Sequence, residues 1–178
     1  MYIDDNSSLT IYELRSRSRR YKKKYGIKLI IIDYLQLLKG DKAFKNNLPE
    51  YYGSISKMCK SIAKELDLPV ICLSQLNRSV ETRGNKYPEL SDLRSSGEIE
   101  QDADLVIFPT RYRRINEEYT EDNKPAFNFA KIDIKKHRNG PIDYVDVWVS
   151  DDVARWKDEE TISDVTIPLQ ELESNLDF

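Results

Sequence analysis

Lys28-Leu29-Ile30-Ile31-Ile32-Asp33 is the stretch on which the fold turns. Four consecutive apolar residues without polar alternation read as a strand covered on both faces, and the aspartate puts a carboxylate at its end. A second run of the same kind, Val70-Ile71-Cys72-Leu73-Ser74, follows Pro69 and delivers Gln75 at its tip. Between the two, Ile55, Met58, Cys59, Ile62, Ala63 and Leu66 recur at helical spacing, which predicts a helix from about Tyr51 to Leu66. Asp104-Leu105-Val106-Ile107-Phe108 is a third strand. Phe127–Lys136 and Tyr144–Val149 alternate as two more, joined across the turn sequence Asn139-Gly140-Pro141. Strand, helix, strand, strand and hairpin make an α/β sheet, parallel at its centre with an antiparallel edge. Ligands of such sheets bind at the carboxyl ends of the strands, here Asp33, Ser74-Gln75 and the segment after Phe108.

Upstream of this frame, Thr10-Ile11-Tyr12-Glu13 has the spacing of a capping box, and a helix should run to about Tyr25, stopped by Gly26. Its apolar stripe is thin (Ile11, Leu14, Tyr21, Tyr25), so its basic side faces water. Lys39–Glu50, with Gly40 and Pro49, reads as loop. Gln75–Gly97 is a long polar stretch without periodicity, and such stretches in a compact domain are functional or disordered.

A chain of 178 residues and 20.9 kDa has room for one domain. Its longest apolar run, Leu29–Ile32, is far short of the roughly 20 residues that span a bilayer, so no membrane role is expected. Two cysteines and one histidine exclude a disulfide framework and a Cys/His zinc cluster, and Cys59 and Cys72 read as small core residues. The acidic N-terminus lacks a signal-peptide layout, which makes the reduced cytoplasm the expected compartment. The net charge of −3 conceals an asymmetry. Residues 1–150 hold 26 bases and 22 acids, with eight bases and no acid between Arg15 and Lys28, whereas nine acids and two bases follow from Asp151. A basic face and an acidic, mobile end are both compatible with this balance.

Four motifs carry chemistry. Asp33 after Leu29–Ile32 has the Walker-B shape, in which a carboxylate holds magnesium against nucleotide phosphates; the plain alternative is a turn or cap residue. Gln75 at a strand tip can orient a water toward a γ-phosphate, or serve as a loop hydrogen-bonder. In Lys135-Lys136-His137-Arg138-Asn139-Gly140, period-2 geometry puts Lys136 and Arg138 on one face, where two cations call for an anion such as phosphate; the alternative is a charged edge strand protected from aggregation. In Leu93-Arg94-Ser95-Ser96-Gly97-Glu98, Ser95 and Glu98 have capping-box spacing, so a short helix opens there. Arg94 and the approachable Gly97 then suit a nucleic-acid phosphate. His137 has no Cys/His partner in sequence and is not expected to bind metal.

Ile32-Asp-Tyr-Leu-Gln-Leu37, Leu73-Ser-Gln-Leu-Asn-Arg78, Ser91-Asp-Leu-Arg94 with Ser96-Gly-Glu-Ile-Glu-Gln-Asp-Ala-Asp104, and Lys136-His-Arg-Asn-Gly-Pro141 occur in the order and approximate spacing of one family. From residue 2 to about residue 157 the chain resembles the DnaB-type replicative DNA helicases of bacteria and their phages. The resemblance implies the C-terminal portion of a RecA-like P-loop NTPase motor domain over residues 1–157. It implies a mostly parallel sheet with an antiparallel C-terminal hairpin; the acidic tail over 158–178, read from its charge, is unmatched in detail. It further implies a hexameric homo-oligomeric ring around single-stranded DNA, ATP with Mg2+ between subunits, unwinding of duplex DNA during replication, and primase and a helicase loader as protein partners. By that likeness Asp33 is the magnesium carboxylate and Gln75 the γ-phosphate sensor. Lys136 and Arg138 act on the neighbouring subunit's ATP, Arg138 as the finger. Lys39–Glu50 and Gln75–Gly97 are the channel-facing loops, with Arg94, Ser95 and Gly97 at the DNA phosphates. Ser95 and His137 depart from the Glu and Gln frequent in the family.

G-x-x-x-x-G-K-[ST] occurs nowhere in the 178 residues. The resemblance places the P-loop, the catalytic glutamate and a primase-interacting domain upstream of residue 1. The chain by itself is accordingly expected to hydrolyse no ATP. A sheet lacking the P-loop strand and helix should leave apolar surface open and favour self-association. The rival reading is a stand-alone, catalytically dead RecA-like module that binds nucleic acid or other subunits, against which the presence of Asp33, Gln75, Lys136 and Arg138 speaks. A recombinase relative is a third option, disfavoured by Asp33-Tyr34-Leu35-Gln36 and the run from Ser96 to Asp104.

Overall fold

The first helix begins and ends where its sequence dictates. In a computed structural model that describes residues 1–6, 8–44, 46–93, 96–121, 125–150 and 155–158, α1 runs over Ile11–Tyr25. The Thr10 hydroxyl accepts from the Glu13 backbone N–H, and the Glu13 carboxylate accepts in return from the Thr10 N–H at 2.8 Å. Gly26 closes the far end at φ 63°, a left-handed conformation that glycine adopts freely. α2 covers Leu48–Leu66 and starts earlier than the periodicity marks. Pro49 stands in its first turn, where a missing N–H breaks no helical hydrogen bond. Ile55, Cys59, Ile62 and Leu66 of the predicted stripe are buried. Ile62, Leu66 and Leu68 form a core with Leu14 of α1, Ile27, Ile30 and Val70.

β1 (Ile30–Ile32) and β2 (Val70–Cys72) pair in parallel, Ile30 opposite Val70 and Ile32 opposite Cys72. These strands, expected to be covered on both faces, are covered on one. Ile32 is buried, but Ile31 is 62% exposed and its partner Ile71 50%, with Leu29 and Leu73 open as well. Nothing among the described residues covers that face. It is the open apolar surface anticipated for a sheet without the P-loop strand and helix.

α3 (Ser79–Thr82) interrupts the segment read as irregular, whereas α4 (Ser96–Asp102) is the short helix expected from the Ser95 and Glu98 spacing, and it packs on α2. The approach is close: a Cβ on Gly53, inside α2, would stand 2.9 Å from the Glu98 Cβ and nearer still to its carboxyl group. A residue poorly suited to helix interiors is thus required by its neighbour. Gly53→Ala is expected to cost about 1–3 kcal/mol of stability through crowding rather than gain alanine's helix propensity. Thermal unfolding is the measurement, and a raised midpoint would refute the close α2–α4 contact.

Glu65 of α2 lies between Arg15 and Arg19 of α1, with the Arg15 Nε at 2.7 Å. Arg19 first, then Arg15, hold its carboxyl below the ordinary glutamate value of 4.5. A depressed carboxylate contributes stability that is fully present above pH 4.5 and is lost as the pH falls through its folded value. The unfolding midpoint at low salt is expected to drop over that acid window, and Glu65→Gln to lack this component. Identical acid limbs in the two proteins would rule the contribution out.

The fold divides into two units, Met1–Val106 with Lys135–Gly140, and Ile107–Ile134 with Pro141–Phe178. β3 (Leu105–Arg111), β4 (Phe129–His137), β5 (Asp143–Val149) and β6 (Trp156–Lys157) form a sheet in that order. β4 and β5 are the expected antiparallel hairpin, with Ile134 opposite Asp143. Ala130, Val147 and Val149 bury one face with Ile132, and Tyr112, at the start of α5 (Tyr112–Ile115), is fully buried with its hydroxyl donating to Asp146 at 2.7 Å. The fold class is the one read from sequence, a mixed α/β arrangement with a parallel and an antiparallel part. The proportion differs. β1 and β2 pair in parallel, β4 with β5 and β5 with β6 antiparallel, and β3, whose Val106, Phe108 and Thr110 are buried while Leu105, Ile107 and Pro109 are not, lies beside β4. Such alternation marks a strand covered on one side, which an antiparallel sheet accepts readily. No helix among the described residues is long and apolar enough to cross a membrane.

Candidate functional site

Parallel pairing brings the carboxyl ends of β1 and β2 side by side, so Asp33 and Ser74-Gln75 leave the sheet at one end. The turn Leu35–Leu37 ties the two exits together. Within it the Gln36 side-chain amide donates to the Ser74 hydroxyl at 3.0 Å, and its carbonyl accepts from the Gln75 backbone N–H at 3.2 Å. The Leu35 N–H adds a bond to the Leu73 carbonyl at 2.8 Å. Gln36 is therefore the bridge of this site, a role that its place in the motif did not reveal, because it depends on which strand lies next door. Asp33 and Gln75 are both exposed, and the Asp33–Tyr34 peptide is cis. No cluster of three or more His, Cys, Asp or Glu able to hold a metal exists among the described residues. A single exposed carboxylate at a strand end suits Mg2+, which keeps several waters and shares its remaining positions with phosphate oxygens. It does not suit a metal caged by protein alone.

The second group of residues converges on the last turn of α4. Lys136 and Arg138 point the same way, as strand geometry requires. One terminal nitrogen of Arg138 donates to Asp104 Oδ1 at 3.0 Å and the other to the Gln101 carbonyl at 2.8 Å. Lys136 donates to the Glu100 carbonyl and, at 3.4 Å, to that of Gln101. The anion that two adjacent cations call for is therefore supplied by the chain itself: helix-end carbonyls carry partial negative charge and Asp104 a full one. Lys60 first, then Arg138, hold the Asp104 carboxyl below the usual carboxylate range. Gly140 is fixed by the same hairpin, since a Cβ there would stand 2.3 Å from the His137 ring.

The segment from Asn77 to Leu93 is organised around an ion pair whose carboxylate is buried. Asp92 is 3% exposed and receives both terminal nitrogens of Arg83, at 3.1 and 2.9 Å. Arg83 also donates to the carbonyls of Asn85 and Tyr87, each at 2.7 Å, and the Glu89 N–H donates to Asp92 at 2.8 Å. Sequence reasoning missed this pair, because nothing in a polar stretch distinguishes one aspartate from its neighbours before the chain has closed over it. Gly97 is exposed in the first turn of α4, with open space where a Cβ would stand. Arg94 and Ser95, the other two candidates for DNA phosphates, lie outside the described residues, as does the acidic tail beyond residue 158.

The basic helix proves less free than its charge suggests. Arg15 and Arg19 meet Glu65, Arg17 meets Asp4 at 2.5 Å, and Lys22 donates to the Leu66 carbonyl. Arg20 and Lys24 lie over the rings of Tyr21 and Tyr25, so six of the eight cations face protein groups rather than water alone. Cys59 is buried and Cys72 half-buried, in keeping with core roles; the hydrogen bond between the two thiols, with burial, pushes the Cys59 thiol up.

The description "DnaB-like helicase C terminal domain" matches residues 1–158. The chain belongs to this family. Among curated relatives it is similar to the replicative DNA helicase DnaB of Buchnera aphidicola subsp. Baizongia pistaciae, 50% identical over 143 residues that make up 80% of this chain and 30% of that protein. The same protein of Geobacillus stearothermophilus is 45% identical over 142 residues, again 80% of this chain and 30% of the relative. Two solved structures are similar at 36% identity. A DnaB-like replicative helicase, described with its interactions with primase, superposes with a TM-score of 0.77 over 88% of this chain and 37% of its own. The ATPase domain of G40P gives 0.70 over 85% and 52%. The family and the RecA-like α/β class expected from the four ordered motifs therefore stand. The chain spans about 30% of the length of the curated relatives it matches.

Proposed function

We propose that this chain is the C-terminal part of the ATP-driven motor domain of a replicative DNA helicase, working in a hexameric ring of like subunits around single-stranded DNA. The supporting observation is the meeting of Asp33 and Gln75 at one end of the β1–β2 pair, braced by Gln36, in a member of the DnaB-like family. Asp33 would hold Mg2+ together with the phosphates of ATP, where the ion neutralises developing charge. Gln75, fixed through its backbone N–H, offers its side-chain amide to a γ-phosphate or an attacking water. Arg138 and Lys136 would face the nucleotide of an adjacent subunit. Gly97 lies at the start of α4, and the far end of α4 holds Lys136 and Arg138. A displacement of this short helix by DNA would therefore be felt at the trans cations.

Arg94, Ser95 and Gly97 would meet the DNA backbone, giving contacts that are largely independent of sequence and weakened by salt. Primase and a loader are the protein partners this reading entails. The 178-residue chain alone, having no P-loop lysine, is expected to hydrolyse no ATP. In the full-length protein that carries it, Asp33→Asn is expected to lower DNA-stimulated ATP hydrolysis by roughly a hundredfold or more with the fold intact. Hydrolysis and unwinding at wild-type rates in that variant would overturn the reading.

A further inference from the structure

Arg138 is gripped twice by the same residue. Its backbone N–H donates to the Asp104 carbonyl at 2.8 Å, and its guanidinium donates to the Asp104 carboxylate at 3.0 Å. The second terminal nitrogen is held by the Gln101 carbonyl at 2.8 Å, one turn earlier in the chain. The carboxylate is anchored in turn, because Lys60 of α2 takes its other oxygen. Three elements thus fix one side chain: the last turn of α4 with Asp104 after it, α2 through Lys60, and the exit of β4. Yet the Arg138 side chain stays 48% exposed. A guanidinium has five N–H donors, and the two bonds seen leave Nε–H and one hydrogen on each terminal nitrogen available. A planar group oriented by fixed acceptors on one edge and open on the other is prepared to meet a phosphate, since less rotamer freedom is lost on contact.

We propose that Asp104 is a positioning residue for the trans-acting Arg138, holding the guanidinium edge-on so that its free donors face the nucleotide of the neighbouring subunit. This rests on the proposed role of Arg138 and adds the group that orients it. Lys136, tied only to main-chain carbonyls, needs no such partner.

The test is steady-state ATP hydrolysis by the full-length protein, with Asp104→Asn and Asp104→Ala compared with Arg138→Ala. The two Asp104 variants are expected to lower kcat about three- to tenfold, with KM for ATP within about twofold, because an exposed ion pair orients without adding much binding. Asp104→Glu should recover at least half of the loss, and the thermal midpoint should stay near the wild-type value. The inference is overturned by wild-type kcat in Asp104→Ala, by a change confined to KM, or by a loss of kcat that tracks a lowered midpoint in both the Asn and the Ala variants. If Arg138→Ala itself hydrolyses ATP normally, the underlying assignment of the finger fails instead, and the two failures are told apart in one experiment.

Discussion

If Arg138 is the proposed finger, Arg138→Ala is expected to lower ATP hydrolysis by the full-length protein about a thousandfold or more, the scale associated with an arginine finger at a phosphoryl-transfer site. Stability should hardly change. The side chain is half-exposed and its pair with Asp104 is a surface contact, worth at most about 1 kcal/mol. ATP should still bind, because a finger in the proposed role acts in the transition state rather than on the ground state. The proposed placement across a subunit boundary gives a sharper test. Asp33→Asn and Arg138→Ala proteins, each inactive alone, should recover hydrolysis when mixed into common rings. There, a subunit with intact Asp33 can receive Arg138 from a neighbour that carries the Asp33 change. Mixed rings as inactive as either parent would place Arg138 in its own subunit's site and sink the trans assignment.

The second large effect concerns a residue with no proposed chemistry. Arg83→Ala is expected to destabilise the first unit by about 3–5 kcal/mol, because it strands a buried carboxylate that then keeps only the Glu89 N–H as a side-chain partner among the bonds described. The reverse change, Asp92→Ala, should cost less, since Arg83 is 32% exposed and can turn toward water. Replacing both with neutral residues, Arg83→Met with Asp92→Asn, should restore part of the loss. Chemical denaturation of the single and double variants gives the three numbers. A single Arg83 variant as stable as wild type would mean that the segment from Asn77 to Leu93 is held by something other than this pair.

Local chemistry along the chain settled a good deal. Thr10, Glu13 and Gly26 bounded α1 because caps are made by neighbours in sequence, and the spacing of Ile55, Cys59, Ile62 and Leu66 marked the buried face of α2 for the same reason. Four ordered motifs carried the family, and Asp33 and Gln75 were singled out because a strand that ends in a polar residue exposes it. Period-2 geometry put Lys136 and Arg138 on one side, but not what they would face. Their anion came from Asp104 and the helix-end carbonyls of α4, residues more than thirty positions away. Burial of β1 and β2 on both faces was the reading that tertiary structure changed, since an apolar run specifies what a strand can pack against and not whether a partner is there. Gln36, Asp92 and Gly53 acquired their roles only on folding, from Ser74 and Gln75, from Arg83, and from Glu98. Sequence by itself determined the elements, their buried stripes and the chemistry at their ends, because these depend on contacts a few residues long. Which ends met, and which charges were already matched, depended on long-range contacts that exist only in the folded chain.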